Sequence, residues 1–364
     1  MHVLDLIKPD GRPLTLYGRS ELRGIDDAPS PFSTPVAATA HLRWHPLRGE
    51  WVTYAAARQD RTFQPPPEYD PLAPTRDAQA PTEVPAGNWD VAVFGNRFPA
   101  LSLGACEAPP AVVESRPAVG ACEVIVYTQA ANGSLGTLPL DHLELLIQVW
   151  ADRTRRLAAD PSIRYVLPFE NRGTAVGATL PHPHGQLYAY PVVPPVPLRM
   201  HDVARAHHAE HGVGPLQALV AREREAGTRV LYDGDAAVAF VPACARYPYE
   251  VWIAPHAAVP DFASLSGAQR ADLARALKTV VLKYDGLWDR PMPYVMAWYQ
   301  APLDGDPHPE AHLHAALCPP YRSRERLKYL AGTELAAGFF TMDVLPESTA
   351  AELQAVTVDL ASPA

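Results

Sequence analysis

Apolar residues recur along this chain with two periods, and the alternation between them sketches most of its elements. From residue 42 an aromatic-rich run breaks at Gly49 and resumes to residue 54, which predicts a pair of strands around a turn. Residues 90–94 and 122–127 predict two more strands, with a turn at 95–99 between them. Leu143, Leu146, Ile147, Trp150 and Leu157 then fall at helical spacing, an amphipathic stripe that reads as core. A strand over 165–169 leads through 170–177 into Leu180-Pro-His-Pro-His-Gly-Gln-Leu-Tyr-Ala-Tyr190. Residues 1–38 are polar and proline-spaced with little periodicity and predict a partly extended arm. Residues 64–88 predict a proline-rich loop.

The second half follows the same order. Residues 229–232 and 236–241 predict a hairpin across Asp233-Gly234, and 249–254 a strand matching 122–127. A helix near 268–287 turns Leu273, Leu277, Val281 and Tyr284 inward, a strand covers 294–298, and His312-Leu-His314 follows. Strand, helix, strand and paired histidines thus recur in register, which argues for two copies of one α+β unit. The predicted organisation is an arm over 1–38, a first unit over 39–199 and a second over 200–364. Antiparallel sheets with flanking helices are expected in both units.

His182 and His184 lie two residues apart in a strand-like run, so both imidazoles are expected to face one cleft. Pro183 cannot donate to a sheet ladder, which places this stretch at an edge or an opening. Imidazole with a pKa of about 6.5 is largely the free base near neutral pH and can attack phosphorus or bind a metal. A hydrogen-bonded pair buried in a sheet is the competing reading. Arg58 and Arg61, three residues apart, suit a phosphate but equally a solvated surface.

Composition narrows the partners. A net charge of −9 with scattered Lys and Arg excludes nucleic-acid binding by phosphate neutralisation and leaves small-molecule phosphates. Four distant cysteines form no C-x-x-C, which fits a reducing cytoplasm and offers no thiolate zinc site. No apolar run reaches the roughly 18 residues of a membrane span. Forty prolines imply fixed turns and extended loops between continuing strands.

His182-Pro-His-Gly-Gln186, with Phe169-Glu-Asn-Arg-Gly173 and Asn96-Arg-Phe-Pro-Ala-Leu101 before it, resembles the galactose-1-phosphate uridylyltransferases of the histidine-triad superfamily. The resemblance continues through Trp298-Tyr-Gln-Ala-Pro302, residues 312–320 and Leu327-Lys-Tyr-Leu-Ala-Gly332, and so spans nearly the whole chain. It implies a duplicated histidine-triad fold and a cytoplasmic homodimer with shared active sites. It also implies exchange of a uridylyl group between UDP-glucose and a hexose 1-phosphate through a uridylyl-histidine. The implied nucleophile is His184, with Gln186 donating to a phosphate oxygen and His182 beside it. Arg58 and Arg61 are implied at the phosphates or sugar. Phe94, Asn96 and Phe98 are implied at uridine, with Leu72 and Arg97 in the same substrate-binding set. Gly177, Ala178 and Thr179 are expected to bring backbone amides close to the phosphates, with Asn171 and the Thr179 hydroxyl as further donors. Lys328, Tyr329, Ala331 and Glu334 reach the hexose from a partner subunit.

The departures concern metals. The family's structural zinc uses a C-x-x-C, which here reads Asp70-Pro-Leu-Ala73, and a histidine missing from 128–133, so only His182 remains. A second family metal uses positions held here by Tyr299 and Ala316, leaving His314 alone. Fewer than four ligands do not make a structural zinc site, so no cofactor is expected. His308 and His312 could rebuild a local metal site, and His207 with His211 has helical i, i+4 spacing, but solvated histidines are the expectation in both places. Thr333 stands where the family has tyrosine, which opens the question of sugar preference. A nucleotide-sugar or dinucleotide phosphorylase, and a catalytically silent nucleotide-binding protein, are the alternatives.

Overall fold

A computed structural model of the chain describes residues 1–60, 66 and 69–360. Its strands are β1 (His2–Ile7), β2 (Pro13–Gly18), β3 (His41–His45), β4 (Glu50–Tyr54), β5 (Val91–Gly95), β6 (Ser115–Pro117), β7 (Ala121–Val126), β8 (Tyr165–Arg172) and β9 (His184–Tyr190) in the first half. The second half holds β10 (Val230–Asp233), β11 (Ala237–Phe240), β12 (Val251–Pro255), β13 (Tyr294–Tyr299) and β14 (His314–Cys318), then the short β15 (Tyr321–Ser323) and β16 (Arg326–Leu327). The helices are α1 (Leu140–Ala158), α2 (Pro195–His211), α3 (Pro215–Ala226), α4 (Gly267–Leu287) and α5 (Pro346–Ala355).

Eleven strands form one sheet in the order β1-β2-β5-β7-β9-β8-β13-β14-β12-β11-β10, each neighbouring pair antiparallel. Outward from the β8–β13 pair the two flanks mirror each other: β9, β7, β5 on one side and β14, β12, β11 on the other. The duplicated α+β unit is therefore visible as a local two-fold about that central pair. Helices α1 and α4 lie against one another. The stripe Leu143, Leu146, Ile147, Trp150 of α1 and the stripe Leu273, Leu277, Val281, Tyr284 of α4 merge into one core with the sheet. Ser266 caps α4 reciprocally with Gln269, which fixes where that helix begins.

Along β9 the side chains alternate. Gly185, Leu187 and Ala189 are buried, Leu187 and Ala189 in that core, while His184, Gln186, Tyr188 and Tyr190 are less buried and point to the other face. A one-residue slip would send the histidine into the core, so burial of the small and aliphatic positions sets its direction. Gly185 is required here: a Cβ on it would lie 2.0 Å from the Tyr127 Oη and 2.9 Å from the Phe169 carbonyl oxygen.

Two expectations change. Residues 1–38 are not simply an arm: Leu14, Leu16 and Tyr17 are fully buried, and β2 pairs with β5. The hairpin gives a weak sequence signal because each strand is only six residues long and the two are joined by a polar turn through Gly11 at φ 80°. The histidine strand also lies inside the sheet, between β7 and β8, not at its edge. Pro183 precedes the strand, and only its carbonyl is used, accepting from the Tyr127 amide at 3.0 Å. An opening does exist. The β9 ladder to β8 stops at Gln186–Phe169, and from Glu170 onward β8 pairs with β13 alone.

Candidate active site

Into that opening runs the segment 173–180, and a cavity of about 310 Å³ forms there. His184 and Gln186 come from β9, Asn171 from β8, and Phe94 from β5. Asn96, Arg97 and Phe98 come from the following turn, Arg58 from the segment after β4, and Gly177, Ala178 and Thr179 from the loop. All of them line the cavity, as does Leu72. The expected site residues of the first half thus converge, with two exceptions. Arg61 lies outside the described residues. His182 does not share the cleft.

His182 is buried just ahead of β9, with 1% of its surface exposed. Its Nδ1 lies 2.6 Å from Asp70 Oδ2 and its Nε2 is 2.8 Å from the Thr128 carbonyl oxygen. Burial pushes the Asp70 carboxyl up, yet the His182 hydrogen bond and charge hold it below the ordinary carboxylate range. The i, i+2 alternation that would point both imidazoles into one cleft needs a strand that includes both residues. The strand starts at His184, so the alternation does not reach His182.

What His182 supplies is its carbonyl. The His184 Nδ1 lies 2.7 Å from that oxygen, and a carbonyl only accepts, so Nδ1 carries the proton and Nε2 keeps the lone pair. Burial lowers the pKa of His184, against the opposing effect of this hydrogen bond. The ring is therefore neutral near pH 7 and holds one defined tautomer, the state a nitrogen nucleophile requires.

Around it the charges are arranged unequally. Arg58 donates to the Phe98 carbonyl at 3.0 Å and to the Tyr188 hydroxyl at 3.2 Å, with no carboxylate paired to it among the described residues. Glu83 also lines the cavity, but its carboxylate takes Arg12 at 2.8 Å and the buried Lys8, whose pKa burial lowers to about 8 against the pull of Glu83. The cavity accordingly keeps an unmatched cation for a phosphate while its acid is neutralised from behind. Phe32, Phe94 and Phe98 add apolar wall. Arg97 stacks on Phe32 at 4.5 Å and donates to the Thr34 carbonyl at 2.7 Å, away from the polar end.

The loop corrects one expectation. The amides of Gly177 and Ala178 close its turn onto the carbonyls of Thr174 and Gly173, at 3.0 and 3.2 Å, so neither is free for a phosphate. The Thr179 amide has no hydrogen-bond partner among the described residues. Sequence reasoning missed Phe32, Tyr69, Glu83, Phe169 and Tyr188. Of these, Tyr188 was readable, since it shares the β9 face with His184 and Gln186.

Lys328, Tyr329, Ala331 and Glu334 do not join this cavity. They line another, of about 450 Å³, in which Glu334 accepts from the amides of Ala331 and Thr341 at 3.2 and 3.3 Å. Its own backbone amide, with those two, brings its carboxyl down to about 2. The Lys328 ammonium donates to the Thr341 carbonyl.

The family zinc does not fit the residues at Asp70 and His182. Zinc ligands sit about 2 Å from the ion and need free lone pairs. Here one carboxylate and one ring stand together, hydrogen-bonded to each other with the second ring nitrogen on a backbone oxygen, and no third His, Cys, Asp or Glu joins them among the described residues.

Comparison with known proteins gives the same picture. Residues 32–194 match the family model for the galactose-1-phosphate uridyl transferase N-terminal domain, and residues 201–362 match that for the C-terminal domain. The chain is 36% identical to the galactose-1-phosphate uridylyltransferase of Thermotoga maritima, over 88% of this chain and 99% of that one. It is 30% identical to the Rattus norvegicus enzyme of that name, over 86% and 87% respectively. A solved uridylyltransferase structure superposes with a TM-score of 0.77 at 31% identity, covering 86% of this chain and 97% of the other. An ADP-glucose phosphorylase from Arabidopsis thaliana shares the fold, at a TM-score of 0.66 and 23% identity over 88% of this chain and all of that one. No helix among the described residues is long and apolar enough to cross a membrane. The chain belongs to the galactose-1-phosphate uridylyltransferase family, whose members are nucleotidyltransferases.

Proposed function

We propose that the His184 cavity moves a uridylyl group between UDP-glucose and a hexose 1-phosphate, galactose 1-phosphate first, in two displacements. His184 Nε2 attacks the α-phosphorus, a P–N bond forms, and the bond to glucose 1-phosphate breaks with its electron pair going to the leaving phosphate oxygen. The phosphate of the incoming sugar then attacks the same phosphorus and the P–N bond breaks. A phosphate leaving group is already a stable anion, so neither step needs a general acid. Arg58, Gln186, Asn171 and the Thr179 amide offset charge on the transferring group, and Leu72, Phe94, Asn96 and Phe98 hold the base. The observation that carries the reading is the His184 Nδ1 to His182 carbonyl bond, which leaves Nε2 as the ring's lone pair.

The hexose end is assigned to Lys328, Tyr329, Ala331 and Glu334 of a second subunit in a homodimer. Their separation from His184 within one chain, and the exposure of Tyr329, Leu335 and Phe339 on that loop, support an element that acts across an interface. The enzyme is read as working in the cytoplasm and without zinc at Asp70 and His182, where His182 positions His184 instead.

Intact mass after incubation with UDP-glucose is expected to rise by one UMP, and His184→Ala is expected to abolish the adduct. An adduct that survives His184→Ala sinks the assignment. Mixed His184→Ala and Lys328→Ala subunits should regain activity if sites are shared. A monomeric mass with no rescue overturns the dimer.

A further inference from the structure

The second half keeps the ring geometry of the first. His314 Nδ1 lies 2.8 Å from the His312 carbonyl oxygen, and His312 Nε2 is 2.9 Å from that of Pro255, repeating the contacts of His184 and His182. The space in front of it has changed. Helices α2 and α3 flank it, and a mostly apolar cavity of about 400 Å³ is lined by Met200, Leu216, Leu219, Trp252 and Tyr299, among others. On its wall stand His201 and Glu310, and behind them His308. His308 and His312 are not solvated: 6% and 7% of their surfaces are exposed. His207 and His211 do lie on the outer part of α2, where His207 bonds the Val213 carbonyl at 2.7 Å.

The cluster has the form of a ligand set. His308 Nε2 lies 2.6 Å from Asp304 Oδ1 and donates there; with no metal bound its Nδ1 carries a proton toward Glu310, which a metal ion would displace. That Nδ1 faces Glu310 Oε1 at 3.1 Å, and His201 Nδ1 lies 3.4 Å from the same oxygen. All three atoms are within 4.8 Å of one another. Ligands placed tetrahedrally about 2.0–2.1 Å from a zinc ion stand roughly 3.4 Å apart. Lone pairs and a carboxylate oxygen brought this close repel unless a cation, proton or metal, lies among them. The backbone contributes too: His308 holds φ 43°, a left-handed conformation that only one other non-glycine residue adopts among those described.

We propose that His201, His308 and Glu310 bind one divalent first-row transition metal, best matched by Zn²⁺, with Asp304 orienting His308. A carboxylate behind a ligating histidine is a recurrent feature of such sites, and two nitrogens with one carboxylate oxygen suit these ions. Three protein ligands leave a coordination position open beside the apolar cavity, which His201 and Glu310 both line. The site uses none of Tyr299, His314 or Ala316, the positions at which the resemblance implies a second metal. It would tie α2 to the loop between β13 and β14.

Untagged full-length protein, stripped with a chelator, is titrated with Zn²⁺ and with Co²⁺, followed by calorimetry and visible absorption. One equivalent of tight binding and a d–d band for bound Co²⁺ are expected. His201→Gln and Glu310→Gln, on different elements, should each abolish stoichiometric binding with circular dichroism unchanged. Asp304→Asn should weaken it roughly 10- to 100-fold. His182→Gln should leave it intact. Absence of tight binding by the stripped wild type overturns the site, as does undiminished binding in both folded ligand variants. So does binding that disappears with His182→Gln.

Discussion

Gly185 sits between His184, the proposed nucleophile, and Gln186, and replacing it with alanine tests whether the strand's position is what makes His184 effective. A Cβ there meets Tyr127 Oη at 2.0 Å, Tyr127 Cζ at 2.7 Å and the Phe169 carbonyl oxygen at 2.9 Å, where ordinary contact begins at 3.4 Å. Tyr127 is 1% exposed within the main core and cannot swing into solvent. The strand itself must therefore move by about 1.4 Å, the shortfall at the hydroxyl. Overpacking of this kind costs about 1–3 kcal/mol of stability. A reacting group displaced by about 1 Å loses on the order of 100-fold in rate, or about 2.7 kcal/mol of barrier. Gly185→Ala is thus expected to lower kcat/KM for UDP-glucose by about 100-fold while the domain still unfolds cooperatively. Adding Tyr127→Phe removes the closest contact but leaves the ring carbon, so it should restore only part of the rate. Assays are exchange kinetics with thermal unfolding on the same samples. Wild-type kcat/KM in Gly185→Ala refutes the argument.

Three further outcomes follow from charges described by the structure. Because burial lowers the pKa of His184, the acid limb of kcat/KM should fall below the ordinary 6.5 of histidine; a limb at or above 6.5 contradicts it. Glu170 is buried and pushed up to about 7, so the folded state keeps a proton that the unfolded state releases above about 4.5. Stability from this group is present at low pH and is lost as pH rises to about 7. Glu170→Gln should therefore flatten that fall and gain up to about 3 kcal/mol at pH 8 in denaturant titrations. The buried Arg153 bonds both Glu123 oxygens, at 2.9 and 2.5 Å, and Arg153→Met should cost about 3–5 kcal/mol by stranding the carboxylate. A loss under 1 kcal/mol in the same titration would mean that Glu123 finds water or another partner.

Much of the sheet and both long helices were legible, because their apolar positions bury one face at a fixed period. The stripes of α1 and α4 are core residues at the predicted positions. The site was legible where chemistry is local to a motif: His184, Gln186 and Asn171 share two adjacent strands. It was not legible where it depends on which residue starts a strand, and His182 was misplaced for that reason. Turn closure by Gly177 and Ala178 depends on the positive φ of Gly173 and Gly177, which spacing does not reveal. Helices α2 and α3 went unread because their faces are mostly polar and α2 opens on Pro195 and Pro197. The Lys8, Arg12 and Glu83 network joins segments some 70 residues apart, and no local pattern announces it.

The mirror arrangement about β8 and β13 has a historical consequence. In an association of two separate identical chains, any substitution appears twice, so both sites must stay equally fit. Joining the copies end to end on one polypeptide releases that constraint. One histidine can keep a polar cavity at its opening between strands while the other is flanked by helices α2 and α3 and lined with Trp252, Tyr299 and Met200. The asymmetry of the molecule thus lies in what lines two equivalent clefts, polar and cationic in one and apolar in the other.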